Sequence, residues 1–186
     1  MRSKVSDDAI RHLVWSGFYR EAEVLDLIGR LDTTDRAAEA AVAVAVRDEF
    51  ARKMSEQATW PDVTDNDRLN DAFDELNRSG ILSVQNAGQN QDDAFDNITQ
   101  RYREQRDALP AYDGYCFYSG DDLGLAVDGD GLLLAFGDMK GQHDRATEIG
   151  RRIVAVLERH GLNTDWAGSY TQRIEIPGII WQRRGP

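Results

Sequence analysis

The spacing of apolar side chains divides the chain into a helical first third and a remainder in which helices and strands alternate. Ile10, Leu13 and Val14 recur at i, i+3, i+4 ahead of Gly17, which predicts a short helix capped by Ser6 or Asp7. Ala22, Leu25, Ile28 and Leu31 predict a second helix. Thr33-Thr34-Asp35 offers a cap for a long third helix reaching about Ser55, with Ala38, Val42, Val46, Phe50 and Met54 as its stripe. Trp60-Pro61 breaks the pattern, so a helical lobe is expected over residues 1–56 and a second lobe over 57–186, the two standing apart or forming one compact unit.

The second lobe opens with Thr64 as a helix cap and Asp67 at the N3 position, followed by Leu69, Ala72, Phe73 and Leu76 as an inward face that Ser79-Gly80 ends. Ile81–Asn86 reads as a strand. Phe95, Ile98 and Tyr102 predict a helix that Pro110 closes, and Tyr115–Tyr118 is an aromatic strand. A short helical turn from Asp121 to Leu125 and a buried strand from Leu132 to Phe136 come next. Ala146, Ile149, Ile153, Val156, Leu157 and His160 mark the clearest helix, with Gly161 placed to end it. Leu162–Trp166, Arg173–Ile176 and Ile179–Gln182 read as short strand segments. The expected class is α+β, a helical N-terminal lobe followed by a mixed β-sheet with helices packed mainly on one side.

Charge sharpens this picture. The formal net charge is −11, and residues 57–137 alone hold 16 acidic against 5 basic side chains. Such a field repels phosphate backbones, so direct nucleic-acid binding is not expected, whereas a basic protein or a cation would be attracted. The same carboxylates also serve as an ordinary solubilising surface. No apolar run approaches the roughly 20 residues of a membrane span. Met1–Asp8 offers no apolar secretory core, and the single Cys116 forbids an internal disulfide, so a cytoplasmic protein is expected.

The candidate chemistry is sparse. Asp128-Gly-Asp-Gly131 resembles a calcium loop, but Leu132 and Leu133 stand where a fifth-position ligand and the sixth-position glycine belong, which makes it a turn. Asp67, Asp71 and Asp74 share a helix face at i, i+4, i+7 and are candidate partner-binding residues. Asp121 and Asp122 follow the aromatic strand and Asp138 follows the next. If those strands are parallel neighbours, the three carboxylates gather at one sheet edge and suit Mg²⁺ or Mn²⁺, with His143 nearby. No nucleophile elbow or phosphate loop is present. His160 reads as a core or capping residue, and Cys116 as a small core hydrophobe.

Trp60-Pro-Asp-Val-Thr-Asp65, Asp67-Arg-Leu69, Ala72-Phe73, Gly80-Ile81, Gln85-Asn86, Gly114-Tyr115, Phe117-Tyr118, Asp121 or Asp122, Ala126-Val127, Leu134-Ala-Phe-Gly137 and Trp181-Gln-Arg-Arg184 occur in an order that resembles a bacterial family, domain of unknown function 6891. The resemblance covers residues 57–184 well and the first lobe more loosely. It implies a shared fold and supplies no catalytic residue. Members of that family tend to carry clustered cysteines after the first strand. This chain has Ala87-Gly-Gln-Asn-Gln-Asp92 there, which rules out a thiolate site.

Three functions are therefore expected in order. The first is a non-catalytic binding or regulatory protein that inhibits a basic partner. The second is a divalent-metal enzyme using the aspartates. The third is a structural homodimer joined through residues 37–54.

Overall fold

A computed structural model describes residues 7–31, 36–105 and 111–186. Its elements run α1 (Asp7–Ser16), α2 (Glu21–Leu31), α3 (Arg36–Gln57), α4 (Asp65–Arg78), β1 (Ile81–Val84), α5 (Gln91–Gln105), β2 (Gly114–Phe117), α6 (Gly120–Asp128), β3 (Leu132–Asp138), α7 (His143–Arg159) and β4 (Ile174–Ile176). The fold is α+β with a helical N-terminal region. The chain separates into two units, Met1–Thr64 with Trp181–Pro186, and Asp65–Ile180. The cap expected at Thr33–Asp35 and the stop at Pro110 lie outside the described residues.

In the first unit, Ile10, Val14, Val24, Ile28 and Val46 form the buried core. Two expected faces shift. On α2 the inward residue is Val24, while Ala22 is exposed. On α3 the stripe holds at Val46 but not at Met54, which is 72% exposed. A four-residue step overshoots a turn by 40°, so eight residues past Val46 the stripe has rotated well away from the core. The inward positions there are instead Glu49 and Lys53, both buried.

In the second unit, α4 turns Leu69, Ala72, Phe73 and Leu76 inward, and α7 turns in Ala146, Ile149, Ile153, Val156 and Leu157, as their periodicity predicts. Strand order is β1-β2-β3-β4. β1 and β2 are parallel, and α5 supplies the crossover that this direction requires. β2–β3 and β3–β4 are antiparallel. One face of the sheet carries Gly114 and Phe136. A side chain at Gly114 would meet Ile149 of α7, and Phe136 packs edge-on to Trp166. The other face carries Leu82, Val84 and Phe117 against Ala94 and Ile98 of α5. Ala94, rather than Phe95, points inward. A Cβ on Gly88 would lie 2.6 Å from the Ala94 nitrogen, so the helix start runs too close to the preceding loop for a larger residue.

Two expected strands are not formed. Between Leu162 and Trp166 only Asp165 bridges to Glu175, because the Trp166 indole turns away to donate to the Ser169 and Gln172 carbonyls. Residues 179–182 form no strand, and Trp181 belongs to the first unit.

Both sheet edges are covered. The Asn77 side chain accepts from the Ser83 amide at 2.9 Å and donates to the Ser83 carbonyl at 3.0 Å, imitating the next strand beside β1. The Asp165 backbone pairs with that of Glu175 in β4, donating to its carbonyl at 2.9 Å and accepting from its amide at 3.0 Å. Covered edges of this kind resist pairing with other chains. Asn77→Ala is expected to lower unfolding free energy by about 2 kcal/mol in urea titration, since two strand groups and the Phe73 carbonyl lose a partner.

Candidate functional site

The parallel pair β1 and β2 sends two loops to the same end of the sheet, residues 85–90 and 118–119, and the helices α5 and α6 start there. The loops are stitched together by Gly120 N–H to the Gly88 carbonyl at 2.7 Å and Asp121 N–H to the Gln89 carbonyl at 2.9 Å. Tyr118 donates to Gln85 at 2.9 Å, and Gln85 in turn donates to Asn70 of α4 at 2.9 Å. Ser119 caps α6, which begins one residue ahead of Asp121, and Asp122 completes a reciprocal capping box. Asp122 is buried. One carboxylate oxygen accepts from the Ser119 amide at 3.0 Å and hydroxyl at 2.7 Å, and the other takes the Arg173 guanidinium at 2.6 Å. Asp121 is exposed and accepts from Gln89 at 3.2 Å. The spacing Ser119-x-x-Asp122 carried this signal in the sequence, and only the long-range partner Arg173 did not.

Asp138 stands at the other end. β2 and β3 are neighbours but antiparallel, so Asp138 pairs with Gly114 at the start of β2, while Asp121 and Asp122 lie beyond its last residue, Phe117. Three residues of strand alone span roughly 10 Å. The gathering expected of Asp121, Asp122 and Asp138 required parallel strands and does not occur. Among the described residues no group of three or more His, Cys, Asp or Glu side chains is arranged to hold a metal ion. Asp138 is also fully engaged. One oxygen accepts from the Lys140 and Gln142 amides at 2.9 and 3.0 Å, which shapes the entry to α7, and the other meets Arg145 at 3.3 Å. Arg145 and Arg152 share Asp113, and Arg152 also donates to the Ser79 carbonyl at 2.7 Å. Burial, and secondarily the Asp138 charge, push the nearby Tyr115 hydroxyl above its ordinary pKa.

The remaining candidates settle individually. His143 is exposed at the start of α7, with its ring stacked on Tyr170 at 4.2 Å between centroids. His160 caps α7 and meets Glu75 of α4 at 2.7 Å. That hydrogen bond, followed by the Arg159 contact, holds the Glu75 carboxyl below its usual range. Cys116 is fully buried, and burial pushes its thiol pKa up, so it is a packing residue rather than a nucleophile. Asp128-Gly-Asp-Gly131 is a turn. Gly129 and Gly131 have φ of 89° and 86°, and the Gly129 and Asp130 amides close the end of α6 on Ala126 and Leu125.

Asp71 and Asp74 are exposed on α4, and Asp67 is half-buried on the same face. Within Asp65–Ile180 the sequence holds 21 acidic and 11 basic side chains, against 12 and 11 in the rest of the chain. Five of the unit's arginines are drawn to carboxylates that serve the fold: Arg68 to Asp65, Arg145 and Arg152 to Asp113, Arg159 to Glu75 and Arg173 to Asp122.

No helix among the described residues is long and apolar enough to cross a membrane. No curated protein and no solved structure matches the chain. A family model matches residues 2–185, covering nearly the whole chain and both of its units. The helical lobe and the α+β lobe are thus parts of one recurring sequence unit, and the chain belongs to the family described as a domain of unknown function, DUF6891.

Proposed function

We propose that the protein is a non-catalytic, acidic cytoplasmic binding protein that regulates or inhibits a basic protein partner, with Asp67, Asp71 and Asp74 on α4 in the contact surface. The observation that carries this reading is the distribution of charge. Five of the second unit's arginines are engaged by fold-serving carboxylates, acidic side chains outnumber basic ones there by 21 to 11, and Asp71 and Asp74 stand exposed to solvent on α4. Such a field accelerates encounter with a basic surface and weakens with salt.

Affinity capture from extract of the source cells tests it. The reading expects a lysine- or arginine-rich protein that is released as salt rises from about 0.05 to about 0.3 M, where screening shortens to a few ångströms. Asp71→Lys with Asp74→Lys should reduce capture at least tenfold. Binding that survives both the salt and the charge reversal would overturn the reading.

Self-association through residues 37–54 is a second reading, favoured by Val44, which is 54% exposed on α3. Sedimentation of wild type against Val44→Glu distinguishes it: a dimer that dissociates in the variant supports it, and a monomeric wild type ends it.

A further inference from the structure

The chain leaves the helical unit at Thr64 and re-enters it at Trp181, and the returning segment closes over the end of α1. The last turn of a helix leaves carbonyls without intrahelical partners. In α1 two of them, those of Val14 and Ser16, are taken up by tertiary contacts. Lys53 Nζ donates to the Val14 carbonyl at 3.1 Å, and the buried Trp181 indole donates to the Ser16 carbonyl at 3.2 Å. The Arg183 guanidinium lies over the Phe18 ring at 4.0 Å, a cation–π contact, and Arg184 donates to the Pro61 carbonyl at 2.6 Å. Gly17 makes room for this. Its φ is 74°, and a Cβ there would stand 2.6 Å from the Arg183 carbonyl oxygen.

Two features make this closure conditional. The helical unit is short, Met1–Thr64 with Trp181–Pro186, and its five buried core side chains are backed by partly buried ones such as Leu13, Trp15 and Phe50; units of that length have little surplus stability by themselves. The seat also contains an opposing force, because Lys53 at the Val14 carbonyl and Arg183 against Gly17 bring two like charges to the same end of α1. We propose that Trp181–Arg184 is a releasable strap that locks α1 onto the helical unit, giving that unit a closed and an open state set by whether the strap is seated. The motif Trp181-Gln-Arg-Arg184 thereby acquires a role: indole for the carbonyl at the helix end, the first arginine for Phe18 and the second for Pro61.

Hydrogen exchange by mass spectrometry on the full chain tests the proposal with Trp181→Ala and, separately, Arg183→Gln, which leaves the indole in place. The expected result is at least tenfold faster exchange confined to residues 7–57 and greatest in α1, with α4, α7 and the sheet unchanged. Unchanged α1 exchange in both variants would overturn the strap. A uniform rise through both units would also overturn it, since the segment would then be ordinary core. Should Trp181→Ala fail to fold, Arg183→Gln carries the same comparison.

Discussion

Arg173→Met is expected to destabilise the protein by about 3–5 kcal/mol in chemical denaturation, the largest loss foreseen for any exposed or half-exposed side chain here. The Asp122 carboxylate is 5% exposed, and Arg173 is the cation that meets it. Removing the arginine leaves the charge buried at the start of α6 with, among the described residues, the Ser119 amide and hydroxyl as its donors. The double variant Asp122→Asn, Arg173→Met removes both charges and should recover most of the loss, because a neutral amide can still accept from Ser119. A single variant within 1 kcal/mol of wild type would show that water replaces the guanidinium. The same experiment tells architecture from function. A large stability loss with undisturbed partner capture assigns Asp122 to the fold.

Lys53→Met is expected to raise stability at neutral pH and lower it in alkali. Burial, with a smaller contribution from Arg183, lowers the Lys53 pKa from 10.5 to about 8. Between those two values the unfolded chain holds a proton that the native state has released, so stability rises with pH across this window. Below pH 8 both states are protonated and the native state carries the full cost of a buried ammonium, about 3 kcal/mol. Methionine removes that cost and forfeits the bond to the Val14 carbonyl, worth about 1 kcal/mol. The variant should therefore be about 2 kcal/mol more stable than wild type at pH 7, with the difference shrinking and changing sign by pH 10.5. Paired denaturation curves at the two pH values check it. A difference that does not vary with pH would mean that the Lys53 ammonium remains hydrated.

Lys53 and Glu49 also show what the α3 pattern concealed. Charged residues at i, i+4 read as a solvated face, and only the approach of α1 turns them inward. There the Glu49 carboxylate accepts from the Trp15 indole and Lys53 closes the helix end. By contrast, α4 and α7 were legible down to single inward residues, because their apolar stripes are continuous and each packs one face against a sheet. Strand β3 was legible as a bounded apolar run. The segments 162–166 and 179–182 were misread as strands because β-favouring side chains serve equally well as packing anchors. Trp166 turns toward Phe136, and Trp181 toward α1.

By itself the sequence determined the α+β class, most helices with their inward faces, the acidic excess and the lack of familiar catalytic motifs, all of which follow from local spacing and composition. Tertiary structure decided the direction of β3 relative to β2, and with it the fate of the aspartates. A connection that contains a short helix can return parallel or antiparallel, and nothing in residues 118–131 distinguishes the two. The antiparallel return sends Asp138 to the end of the sheet opposite Asp121 and Asp122. Tertiary structure also decided which arginine answers which carboxylate. Arg173 lies 51 residues from Asp122, and pairings over such distances are selected by the packed fold rather than by neighbouring residues.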